Sequence, residues 1–477
     1  MRLQTLVFFG SLASAVPSAP IYARNASEQI DFKSITPSRD LTWHPCGSFN
    51  CAILDVPLDY SKPQGNRALV PLIKYPAIAG PSKGMVLMNP GGPGESAIDF
   101  LVKAAKITQN ITGGHFDMVA WEPRGLGQSV PSANCSAQAA PLLSKYHQFT
   151  ARGNTSGTIG STFLEGVFTD AKAIGEKCKA SIGGPTDAGP HMTTKIVVED
   201  MVSILDAYAA SPEGKQVENP SLLNYWGFSY GTIVGQTFAS MFPDRINKVV
   251  MDGVVDADKY AKANMETWLV HADSAFATFF VYCHLAGPTA CPYYTGNSTG
   301  DIFGRFEKTV ARLDVKTARD QGWQNATLIE STLTGLKLLT FHALYSPIST
   351  FNGTAVSLVL LEKAVQNLTE ESLSVLEELI GEQTEGGAEA IAAQISISCS
   401  DNGNTLYNKT LSEVMPVVNQ LKNQSWIGGE PLSKNVVACT GWGIDGVERY
   451  TGPFGGATKN AMLFVSNTRD PVTPDIK

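Results

Sequence analysis

The chain has 477 residues, 43% of them hydrophobic and 17% charged, the balance of a folded globular protein rather than a disordered one. That length allows one large α/β domain with an insertion, or two to three modules. A net charge of −8 argues against nucleic acid or an anionic membrane surface as partner.

Residues 1–19 read as a secretory signal peptide. Arg2 is a basic start, Leu3 to Val16 is largely apolar, Ala13-Ser14-Ala15 is a small-residue cleavage site, and Pro17 and Pro20 follow. The run is too short for a membrane span, and no later stretch reaches the roughly 18 uninterrupted apolar residues of a transmembrane helix. Export predicts disulfides from the even set Cys46, Cys51, Cys135, Cys178, Cys283, Cys291, Cys399 and Cys439. Pairing sequence neighbours gives four short-to-moderate loops, but many connectivities are possible and the sequence does not choose. Ten N-x-Ser/Thr sequons, at Asn25, Asn110, Asn134, Asn154, Asn297, Asn325, Asn352, Asn367, Asn408 and Asn423, predict a glycosylated surface. There is no C-x-x-C, so neither zinc nor another metal or cofactor is expected. The localisation read from these features is extracellular.

Short β-rich runs then alternate with longer helical patterns, which predicts a mostly parallel sheet covered by helices. The strand candidates are Ala52–Leu58, Ala68–Tyr75, Met85–Asn89, Phe116–Trp121, Leu222–Phe228, Lys248–Asp252 and Met462–Asn467. Met85 to Met88 and Met118 to Trp121 are continuously apolar, as strands buried on both faces are. Helical patterns cover Phe163–Ser181 and Thr194–Ala209. From 256 to 455 the pattern is mostly helical, and strand character returns at Ala461. We therefore divide the chain into residues 20–255, the first part of an α/β core, 256–455, an inserted helical cap, and 456–477, a core strand with its following turn. A cap there covers the sheet's carboxyl edge, where open α/β sheets bind ligands.

Gly227-Phe-Ser229-Tyr-Gly231 lies between the strand Leu222 to Trp226 and a helix from Thr232 to Phe242. That is the setting of a nucleophile elbow, a turn so tight that the residues two before and two after the serine must lack bulk. Ser229 is then presented at a helix head, where backbone N–H groups meet developing negative charge. The bare motif is weak, since glycine and serine are common in loops; its strand–turn–helix context strengthens it. Asn89-Pro-Gly91-Gly92-Pro-Gly94 follows another strand and supplies N–H groups beside the elbow, so the N–H of Gly92 and of Tyr230 are the candidate oxyanion hole. Taken alone, this loop would read as an ordinary Pro-Gly turn. It matches neither G-x-G-x-x-G nor Gly-Lys-Ser/Thr, so nucleotide binding is not expected.

Together, Asn-Pro-Gly-Gly-Pro-Gly at 89, Trp-Glu-Pro-Arg-Gly-Leu-Gly-Gln-Ser at 121–129, Gly-Phe-Ser-Tyr-Gly at 227 and Asp-Gly-Val-Val-Asp at 252 resemble the tripeptidyl aminopeptidase family, relatives of the prolyl aminopeptidases. Thr193-Thr194 with Asp200, and Cys399-Ser-Asp401, fit the same pattern. The resemblance runs from about residue 40 to the end. It implies an α/β-hydrolase fold, a helical cap, and a serine peptidase that releases short peptides or residues from free N-termini through an acyl-enzyme. It also places the triad carboxylate at Asp470; by spacing alone an Asp-Pro turn is as good a plain loop. Glu122 stands where the family usually has Asp. Arg124 reads as a structural tie through fork-like hydrogen bonds. Glu95 could meet a substrate amine, though a solvated helix start explains it equally well.

The chain order Ser…Asp…His requires a histidine after Asp470, but only seven residues remain, and His44, His115, His147, His191, His271, His284 and His342 all precede it. His115 enters its strand at the wrong edge of the sheet. The last core strand and helix are expected to be missing too, and loss of the base to cost about 10⁶ in rate. A chain cut short, a truncated isoform and a non-catalytic descendant each account for this; the intact Ser229, glycine loop and Asp470 favour the first. The rivals to a peptidase are an esterase or amidase on a small metabolite and a non-catalytic secreted binding protein.

Overall fold

The computed structural model describes residues 30–135, 139–143, 162–320, 326–366 and 388–475. The signal-peptide segment, His147 and the sequons at Asn25, Asn154, Asn325 and Asn367 lie outside the described residues.

The described strands form one sheet: β1 (His44–Cys46), β2 (Phe49–Pro57), β3 (Arg67–Tyr75), β4 (Met85–Asn89), β5 (Asp117–Trp121), β6 (Leu223–Phe228), β7 (Ile246–Asp252) and β8 (Met462–Val465). Their order is β1-β2-β3-β5-β4-β6-β7-β8. β1, β2 and β3 are antiparallel neighbours, and β3 runs antiparallel to β5. From β5 through β4, β6 and β7 to β8 every pairing is parallel. The parallel part is where the apolar runs lie, because helices cover both of its faces. Alternation then sorts the side chains: Leu72, Leu87 and Val119 pack on one face, while Ile73, Val86, Met88, Met118 and Ala120 pack on the other with Ala97, Leu101 and Ala105. Each such aliphatic side chain contributes about 1.5–3 kcal/mol by leaving water.

The seven expected strands all form, within a few residues of their expected ends. The three-residue β1, which the sequence reading lacked, pairs with β2 in a hairpin closed by Cys46–Cys51. β8 is an outer strand, and its Leu463, Phe464 and Val465 are exposed.

Helices α1 (Ala97–Ile111), α2 (Thr162–Ile182), α3 (Thr194–Ala210) and α4 (Tyr230–Met241) belong to the first half. α1 starts at Ser96, whose side chain accepts the Asp99 N–H, a standard helix cap. Between β7 and β8 the described residues form helices and no strand: α5 (Ala257–Ala261), α6 (Ala272–Ala290), α7 (Thr299–Val310), α8 (Val315–Asp320), α9 (Ala326–Ala343), α10 (Pro347–Gln366), α11 (Ala388–Asp401), α12 (Leu411–Gln424) and α13 (Gly429–Ala438). This block packs on the first half: Gly175 of α2 and Gly441 are in backbone contact. The remaining cysteines pair as Cys135–Cys178, Cys283–Cys291 and Cys399–Cys439. Sequence neighbours are thus bonded throughout, one of the arrangements left open above.

Candidate active site

Ser229 follows β6 directly and caps α4, with φ 51° and ψ −123°, backbone that a side-chain-bearing residue rarely adopts. Close packing enforces it. A Cβ on Gly227 would stand 2.5 Å from Gly231 O, and one on Gly231 would stand 2.6 Å from Asn89 O. The Ser229 N–H is held by Asp252 O at 3.0 Å. Tyr230, first residue of α4, carries one of the helix-head amides that no helical carbonyl can satisfy.

The glycine loop lies against this turn. A Cβ on Gly91 would be 2.6 Å from Phe228 O and 3.0 Å from both Ser229 Cβ and Tyr230 N. Gly91, rather than Gly92, is therefore the residue in closest contact with the elbow. Its own N–H is donated to Asn89 Oδ1 at 2.9 Å. Gly94 is covered by α11, since a Cβ there would meet Ala390 O at 2.5 Å and Gln394 N at 2.8 Å.

Asp470 is buried in the turn after β8. Its Oδ1 accepts the N–H groups of Thr473 at 2.7 Å and Val472 at 3.0 Å. That turn reaches the elbow through Gly253: a Cβ on Gly253 would stand 3.1 Å from Thr473 Oγ1 and 3.9 Å from Ser229 N. Paired strand ends explain the convergence. Phe228 pairs with Asp252, Asp252 with Val465, and Asn89 with Gly227. The segments after β4, β6, β7 and β8 thus emerge side by side at the sheet's carboxyl edge.

Arg124 has the structural role expected of it. It is buried, its Nε and Nη2 grip Asp200 at 2.7 Å each, and it also donates to Pro57 O and Leu58 O. Burial opposes its charge, but Asp200 outweighs that and raises its pKa. Glu122 sits behind the glycine loop, where Ser96 Oγ and, at 3.2 Å, the Ile98 N–H donate to its Oε1. Burial pushes its carboxyl up to about 7. Glu95 is exposed beside the loop. Tyr345, after α9, is 64% exposed, yet desolvation and then the carboxylates of Glu95 and Asp470 raise its phenol.

Among the described residues no histidine hydrogen-bonds Ser229 or Asp470. His115 bonds Ala79 O at 2.9 Å just ahead of β5, at the sheet's opposite edge. His191 bonds Pro185 O at 3.0 Å, and His284 stacks on Tyr294. His271 precedes α6. His342, on α9, is pushed down to about 4 by burial and then by Lys434. Among the described residues no cluster of His, Cys, Asp and Glu is placed to hold a metal. A network missed by the sequence reading joins Tyr230, Thr194, Tyr260 and Asp401. Thr193-Thr194 and Cys399-Ser-Asp401 had signalled it only as parts of the resemblance.

Residues 84–279 match a family model described as alpha/beta hydrolase fold. With the sheet order and the elbow, that match shows that the chain has the α/β-hydrolase fold. It is similar to the serine protease Hip1 of Mycobacterium tuberculosis, 30% identical over 224 residues that cover 45% of this chain and 39% of that protein. It is also similar to a tripeptidyl aminopeptidase of Streptomyces lividans, 29% identical over 257 residues, 51% of this chain and 42% of the relative. A carboxylesterase B of Mycobacterium tuberculosis is 27% identical over 358 residues, 72% of this chain and 63% of the relative. The chain thus spans less than two thirds of the length of each of these relatives.

Proposed function

We propose that the protein is a secreted serine hydrolase of aminopeptidase type. Ser229 Oγ attacks a scissile carbonyl of a short peptide with a free amino terminus. The C–N bond breaks, the amine leaves with a proton, and water then releases the acyl group from Ser229. The Tyr230 amide and the loop amide of Gly92 take the oxyanion, because Gly91 spends its N–H on Asn89. Asp470 is the triad acid, and Glu95 the candidate contact for the amine. The helical block between β7 and β8 is the cap. The acid–base histidine that this set calls for is not found at the elbow among the described residues. The observation that carries the reading is the strained Ser229 between two glycines that cannot bear side chains, with the Gly91 and Asp470 turns packed around it. Two peptidase relatives support it. Export is supported by four disulfides and by Asn110, Asn134, Asn297, Asn352, Asn408 and Asn423, all exposed.

A second reading, an esterase, is favoured by the carboxylesterase relative, whose match covers more of this chain than either peptidase match does. Assay of p-nitroanilides of short peptides, with free and blocked amino termini, against simple p-nitrophenyl esters separates the two. Turnover of free-terminus anilides is expected. Turnover of esters alone contradicts the peptidase reading.

A further inference from the structure

The proposed chemistry leaves one buried carboxyl beside the elbow without a part to play. Asp401 ends α11, the helix that also covers Gly94. Its Oδ1 accepts the Thr194 N–H at 2.8 Å, and its Oδ2 accepts the hydroxyls of Thr194 at 2.6 Å and Tyr260 at 2.9 Å. Burial pushes the Asp401 carboxyl up to about 6; above that pH it is ionised and only accepts. The Thr194 hydroxyl therefore gives its proton to Asp401 and receives one from the Tyr230 hydroxyl, 2.5 Å away. The chain runs in one direction, from Tyr230 through Thr194 to Asp401. The Tyr260 ring closes it from the side, 5.9 Å from that of Tyr230 between centroids.

Tyr230 is thereby held at both ends. Its backbone begins α4 next to Ser229, and its buried side chain is tied to the first residue of α3 and the last residue of α11. Cys399, two residues before Asp401, is bonded to Cys439, which anchors that end of α11 to the segment after α13. We propose that Asp401 is a positioning residue which, through Thr194, fixes the oxyanion-side amide of Tyr230 and so couples the inserted helices to the nucleophile turn. It touches no reacting atom. Its effect comes from geometry: an amide serves a developing oxyanion only within a narrow range, about 2.7–3.1 Å, and an unbraced turn samples positions outside it.

This inference rests on the hydrolase reading, and its test separates the two. The rate of covalent labelling of Ser229 by a fluorophosphonate is measured on the full chain and resolved into reversible affinity and inactivation rate. Thr194→Val keeps shape and removes the hydroxyl; Thr194→Ser keeps the hydroxyl; Asp401→Asn keeps size and removes the charge. Thr194→Val and Asp401→Asn are expected to slow inactivation about tenfold or more with affinity unchanged, as loss of oxyanion stabilisation does. Thr194→Ser is expected to stay within about twofold of the parent. Wild-type rates in Thr194→Val, or Thr194→Ser falling as far as Thr194→Val, overturn the proposal. Should Asp401→Asn fail to fold, the two Thr194 variants still decide. An unlabelled parent chain removes the hydrolase reading itself, and the proposal with it.

Discussion

Glu122 holds a carboxyl almost out of water, 2% exposed, with Oε2 lacking any hydrogen-bond partner among the described residues. Desolvation dominates, the bonds from Ser96 and Ile98 oppose it, and Asp99 and Glu389 add like charge, so the group titrates near 7 instead of 4.5. A folded-state pKa above the unfolded one means that stability from this group is fully present below about 4.5 and is lost as pH rises through about 7. The shift from 4.5 to about 7 corresponds to about 3 kcal/mol at most. Glu122→Gln is expected to remove most of that pH dependence and to raise the melting temperature at pH 8 relative to the parent, with little change near pH 5. Thermal unfolding across that range checks it, and parallel curves for the two proteins would contradict it. None of this was legible from the sequence, where Glu122 is one carboxylate in a motif. Its titration depends on which groups the fold brings around it.

At the scale of elements, strand ends and helix heads build the site. The elbow could be read in advance because a tight strand-to-helix turn needs small residues at fixed offsets, and Gly227 and Gly231 occupy them. The strands were legible because apolar runs of five or so residues between turn signals leave little choice. What escaped was contact between distant segments, such as α11 on the glycine loop and Asp401 on Thr194, which no local pattern encodes. The close approach of Gly91 to the elbow and the bond from its N–H to Asn89 Oδ1 also escaped, since Gly91 and Gly92 look alike in sequence. Gly94 measures how closely α11 sits. With φ +99° and a Cβ position 2.5 Å from Ala390 O, Gly94→Ala is expected to lose about 1–3 kcal/mol and to lower acylation of Ser229 by displacing the loop. Denaturant unfolding with a parallel labelling assay reads both; an unchanged midpoint would show that α11 does not press on the loop.

For the whole molecule, the described residues form one sheet with a long helical block between β7 and β8, one helix of which covers the glycine loop. The signal-peptide pattern, the sequons and the even cysteine count led to the expectation of export, and the four disulfides, which close loops with separations of 5, 43, 8 and 40 residues, are consistent with an oxidising environment. Which cysteines pair could not be read from their order. It depends on chain paths such as the approach of α11 to the segment after α13. The helical run between β7 and β8 was visible as a change of rhythm after residue 256, because helices and buried strands carry different hydrophobic periods. The proposed activity depends on Ser229 acting as the nucleophile. The direct measurement is the mass and location of the adduct formed when the protein is held with excess fluorophosphonate. A single adduct on the peptide containing Ser229, absent from Ser229→Ala, is expected. No adduct, or an adduct on another residue, would contradict the account.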